Sequence, residues 1–167
     1  MNSKILLLVG AVLVFGAANW KIVAKERLRS SGQTVFLDLA PRDPRSLMQG
    51  DYMALNFGVA NEIGAWVRDN EHAPTVAVLK VDDRGIGHAA RLDMGAPLNP
   101  GEVRFRFRLR NNSIWLGTNA FFFHEGEEER YRAARFGEFR VGDDGDAMLV
   151  DLRDKDLREM GRVDRQQ

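Results

Sequence analysis

The stretch Glu102-Val103-Arg104-Phe105-Arg106-Phe107-Arg108-Leu109-Arg110 decides the fold class. Apolar side chains at 103, 105, 107 and 109 alternate with arginines at 104, 106, 108 and 110. A strand sends successive side chains to opposite faces, whereas a helix spreads residues two apart around its axis. Only an extended chain therefore puts the four apolar groups on one side. One face is expected against a core and the other against water. The arginines are expected to form a ladder paired across strands with acids, contact with anionic headgroups or an acidic partner being the alternative.

Outward from this strand, short runs rich in Val, Phe, Leu and Arg extend the β reading. Thr34 to Leu39 is a candidate strand, and Met53, Leu55, Phe57 and Val59 alternate along a second. Thr75 to Val81 and Ile86 to Leu92 flank Asp82-Asp83-Arg84-Gly85, whose turn chemistry suits a hairpin. Asn111-Asn112 turns the chain into Ser113 to Leu116 and then into Phe121-Phe122-Phe123. These three rings occupy both parities, so that strand is covered on both faces or exposes one as a docking surface. Glu127 to Phe136 reads as one short helix: its acids come first, Arg130, Arg132 and Arg135 follow, Gly137 stops it, and Tyr131 and Phe136 pack it. Glu138 to Val141 and Ala147 to Leu152 form a closing hairpin.

The N-terminal residues are different in kind. Ile5 to Trp20 carries no charge, Lys4 precedes it, and Lys21, Lys25, Arg27 and Arg29 follow. Extended to Val23, such a helix comes close to the roughly 30 Å hydrocarbon core, with Trp20 and Lys21 at the interface. An uncleaved anchor is expected; a signal peptide cut after Gly16-Ala17-Ala18 is the competing reading, and both export the rest. The local count of Lys and Arg after the span leans the other way. Lys25 to Gln33 reads as a polar juxtamembrane linker.

The expected fold is thus mainly β, a sandwich or partly closed barrel with one short helix, preceded by an N-terminal transmembrane helix. Residues 1–30 form anchor and linker, 31–153 one β-rich domain with a core of its own, and 154–167 a charged, frayed tail. Lys plus Arg and Asp plus Glu number 24 each, a balance that removes the main electrostatic term of nucleic acid binding. There is no cysteine, hence no disulfide and no thiolate metal site. His72, His88 and His124 are isolated from one another and read as surface or loop residues; no metal or other cofactor is expected.

Two further blocks carry a resemblance. Gly50-Asp51-Tyr52-Met53-Ala54-Leu55-Asn56-Phe57, led in by Asp43-Pro44-Arg45, resembles the signature of the GDYXXLXY proteins. Gly50, Asp51, Tyr52 and Leu55 match it, and Phe57 replaces the final tyrosine. Leu116 to Gly126 is similar to a second block of that family, matching at Gly117, Phe122, Glu125 and Gly126 and departing at Leu116, Asn119, Phe121 and His124. The resemblance implies a membrane-anchored, extracytoplasmic domain of unknown function on the outer face of a bacterial inner membrane. It further implies a non-catalytic accessory or interaction role beside a multi-pass inner-membrane protein. The candidate contacts are Arg45, Gly50, Asp51, Tyr52, Leu55, Phe57, Gly117, Phe122, Glu125 and Gly126.

Asp51 shares strand parity with Met53 and Leu55, so its carboxylate is expected to hold the turn by accepting backbone N–H groups or by pairing with Arg42 or Arg45. A ligand or partner contact at Asp51 and Tyr52 is the functional alternative. An enzyme reading also exists, because Leu47-Met48-Gln49-Gly50-Asp51 resembles the box that follows the nucleophile in membrane signal peptidases. Arg42 stands where that serine would fall, which leaves a hydrolase only the offset Ser46 with Lys80 as its base.

Overall fold

The computed structural model describes residues 3–40, 52–68, 73–110, 113–118, 120–123 and 126–160, with side chains from Val9 onward except at 128 and 129. The chain forms α1 (Ser3–Ser31), β1 (Gln33–Asp38), β2 (Tyr52–Ala54), α2 (Gly58–Arg68), β3 (Val76–Val81), β4 (Gly87–Leu92) and β5 (Glu102–Arg106). β6 (Arg108–Arg110), β7 (Ser113–Trp115), β8 (Ala120–Phe122), α3 (Glu128–Tyr131), β9 (Phe136–Val141) and β10 (Ala147–Arg153) follow. The fold is mainly β, built from four small antiparallel sheets ordered β1-β9-β10, β2-β8, β4-β3-β5 and β6-β7. The partly closed barrel of the sequence reading is not formed: each sheet ends after two or three strands, so no cylinder closes.

The core lies where these sheets meet. Phe139 of β9 packs edge-on against Phe57 and Phe105, with centroids 5.2 and 5.3 Å away. Leu37, Ile63, Leu79, Leu116 and Leu152 are fully buried around them. Gly137 lets this happen, since a Cβ there would come within 2.8 Å of the Phe57 ring and 3.0 Å of Leu149. Both hairpins form as their turn residues dictate. Asp82 Oδ1 accepts the Arg84 and Ile86 amides, each at 2.9 Å, and Gly85 takes the left-handed φ of 82° that the turn needs.

Several expectations are corrected. The linker is helical: α1 runs to Ser31, the Gly32 amide closes it on the Leu28 carbonyl, and β1 starts at Gln33. Among the described residues no helix is long and apolar enough to cross a membrane, and the Ile5 to Leu8 side chains lie outside the described set. The second strand stops at Ala54. From Gly58 the chain is α2, whose Val59, Ala60 and Ile63 turn inward at helical spacing. The Glu127 to Phe136 helix shrinks to Glu128–Tyr131, and Phe136 opens β9. The arginine strand is interrupted at Phe107, whose amide donates to Thr75 O; β6 then pairs with β7 rather than β3, leaving Leu109 half exposed. The tail is held as far as Met160, which is buried and accepts from Arg130, while Arg153 bridges to Glu159. Residues beyond 160 lie outside the described set.

Candidate functional site

The two motif blocks, far apart in sequence, are joined in one ribbon. β2 and β8 pair antiparallel with Tyr52 opposite Phe122, Met53 opposite Phe121 and Ala54 opposite Ala120. Directly opposed residues share a face, so the ribbon has an inner and an outer side. On the inner side, Met53 is buried, and Phe121 and Phe123 contact Tyr131 of α3 at 5.0 and 5.5 Å. On the outer side, the Tyr52 and Phe122 rings are tilted together at 5.8 Å, and Phe122 is 75% exposed. The mixed parity of the three phenylalanines is thereby explained: 121 and 123 pack the core while 122 faces outward.

The other candidate contacts separate cleanly. Leu55 and Phe57 are core residues; Phe57 also bridges to Leu39 and its carbonyl accepts the Ala60 amide at the start of α2. Gly117 is a backbone requirement, with φ of 72° and no room for a Cβ beyond 3.3 Å from the Ala147 carbonyl oxygen. Thr118 closes the turn after it, its hydroxyl donating to Ala120 O at 2.9 Å. Gly126, at φ 86°, has open space around it. Arg45, Gly50, Asp51 and Glu125 lie outside the described residues, as do Arg42, Ser46, His72 and His124. Lys80 donates its ammonium to Pro100 O. His88 is exposed and meets Asp82 at 3.2 Å.

The arginine ladder is partnered at its first two rungs, Arg104 to Asp93 at 2.8 Å and Arg106 to Asp146 at 3.0 Å. Hydrogen bonds from Arg104 and from the Gly95 amide hold the Asp93 carboxyl below its ordinary range. Glu102 is likewise depressed, by the Asn99 amide and side chain and by Arg91. Val78 sits directly between Arg91 and Arg104 on this outer face and is fully buried.

Sequence reasoning missed a second charged cluster. Glu138 of β9 is buried and accepts from Arg153 Nε at 2.6 Å, with Arg140 at 3.6 Å on its other oxygen. Burial pulls the Arg153 guanidinium down, but the hydrogen bond and charge of Glu138 outweigh it and hold the group above its ordinary value. The signal was present: Glu138 and Asp151 are opposite one another across the closing hairpin, and two facing acids require a cation nearby. Through the Arg153–Glu138 contact this cluster ties β9 to β10. Among the described residues there is no grouping of His, Asp or Glu fit to hold a metal.

No curated protein and no solved structure gives a match to the chain. The family model of the GDYXXLXY proteins matches residues 14–152, a span holding both motif blocks, the ribbon they build and both hairpins. With most of its length inside that match and Gly50, Asp51, Tyr52 and Leu55 in place, the chain belongs to the GDYXXLXY protein family.

Proposed function

We propose that this protein is a non-catalytic interaction module, held at a membrane by α1 and docking a protein partner through the outer face of the β2–β8 ribbon. The observation that carries the reading is Phe122, a large ring 75% exposed beside Tyr52 at the junction of the two motif blocks. An exposed aromatic beside a second ring has the make-up of an interface anchor. Support for the membrane comes from α1, where Val12, Leu13, Val14 and Phe15 are consecutive, and therefore on all sides of the helix, and all are exposed. A helix apolar all round is stable when lipid or protein surrounds it. In this reading the sequence from Ile5 to Val23 is the anchor, the domain faces away from the cytoplasm, and the partner is a multi-pass membrane protein.

Because the chain has no cysteine, single cysteines report placement directly. A cysteine at the exposed Met94 should react with an impermeant thiol reagent on intact spheroplasts; protection until lysis would overturn the outward placement. A photo-crosslinking residue at Phe122 should capture one membrane protein, and the same residue at the exposed Arg108 should not. Equal capture from both sites would refute the ribbon as the docking face.

A further inference from the structure

A cavity of about 400 Å³ separates the last turns of α1 from the turn between β9 and β10. That size lies in the range of roughly 300–1,000 Å³ typical of small-molecule sites. Ala24, Leu28 and Val141 give it apolar surface, Lys25 and Arg27 line one wall, and Asp143, Asp144 and Asp146 line the other, the last of them already paired with Arg106. Among the described residues no ion pair joins these walls, so, Asp146 apart, both sets of charges face the cavity uncompensated.

The gap is held open by the fold. Leu28 packs on Gly142, where a Cβ would meet its Cδ1 at 3.3 Å, and Gly32 lies against β9, where a Cβ would come within 3.1 Å of the Arg140 Cβ. Asp144 Oδ1 accepts the Asp146 amide of its own turn at 3.0 Å, and Arg106 holds Asp146 at 3.0 Å. These contacts fix Asp144 and Asp146 on the acidic wall, while Asp143 makes no ion pair with another described residue.

We infer that this cavity binds a phosphoethanolamine group, its phosphate on Lys25 and Arg27 and its ammonium on Asp143 and Asp144. A lone phosphate would meet the two acids and a lone amine the two bases, so only a molecule carrying both charges satisfies both walls. The cation is a primary ammonium, because carboxylates accept its N–H groups and among the described residues no aromatic ring lines the cavity to hold a trimethylammonium. The cavity begins one residue beyond Val23. On the anchor reading, from which the choice of source follows, that is where the chain leaves the bilayer, so the group is a lipid headgroup.

The test uses the full chain in phosphatidylcholine nanodiscs with and without phosphatidylethanolamine, and in detergent titrated with free O-phosphoethanolamine, read by the amide shifts of Gly32 and Gly142. Phosphatidylethanolamine should move both amides and phosphatidylcholine alone should not. Lys25→Gln and Asp143→Asn should each weaken the response about tenfold, the loss of one charge-assisted contact, while circular dichroism stays that of the wild type. The same response in phosphatidylcholine alone, or unchanged affinity in both variants, would overturn the site. Binding of free O-phosphoethanolamine with the same dependence on both variants, and no effect of the lipid, would keep the site and reject the lipid source. A chain that fails to enter nanodiscs refutes the anchor, and the detergent titration then decides the cavity by itself.

Discussion

Phe105 and Arg106 are adjacent in the chain and opposite in environment, the first fully buried against Phe139 and the second half exposed beside Asp146. Phe105→Ala should cost about 3–5 kcal/mol as a core aromatic truncation, and Arg106→Ala under about 1 kcal/mol as a screened surface pair. Urea unfolding of the two variants measures the difference, and similar midpoints would contradict this facing. The alternation at 103 to 107 was legible because it is a property of the pleat alone. Leu109 was not, because its exposure follows from the exchange of β3 for β7 as partner after Phe107, a tertiary event with no local mark. Val78 was hidden for a related reason: its burial on the outer face depends on the neighbouring strands that place Arg91 and Arg104 opposite it.

Among the elements, the β3–β4 and β9–β10 hairpins were readable from their Asp and Gly turns, since turn chemistry is local. The α2 helix was missed because Val59 continued the odd-numbered parity of Met53, Leu55 and Phe57, although Ala60, Ile63 and Val67 already showed the longer period. Ile63 is now its most buried residue, and Ile63→Ala should destabilise by about 2–5 kcal/mol, read as a lowered denaturant midpoint. The motif ribbon itself was unreadable: nothing in either block announces the other as its partner. The β4-β3-β5 sheet gives a pH signature through Asp93 and Glu102, both depressed from ordinary values of 3.8 and 4.5. A depressed carboxyl stabilises the fold fully above its unfolded pKa and loses that contribution as pH falls through the folded one. Urea midpoints should therefore hold above about pH 5 and fall as pH drops below those ordinary values, and Asp93→Asn should flatten part of the decline. An Asp93→Asn curve parallel to the wild type would exclude the Arg104 contact as its cause.

Across the whole molecule, the C-terminal segment is part of the fold. Met160 is buried and Arg130 donates to its carbonyl at 2.7 Å, so ending the chain at Arg153 should cost about 2–4 kcal/mol, comparable to loss of one buried methionine and a charge-assisted hydrogen bond. A thermal midpoint unchanged by the truncation would show that the segment contributes nothing. The pairing of β1 with β9 reaches further still, because contacts there join residues 108 positions apart, as between Gly32 and Arg140. At roughly 5–20 residues per second of synthesis, β1 leaves the ribosome on the order of ten seconds before its partner exists. Throughout that interval the β1-β9-β10 sheet cannot close, and β1 is held only by contacts made earlier in the chain, such as the Phe36 amide on the Gly85 carbonyl.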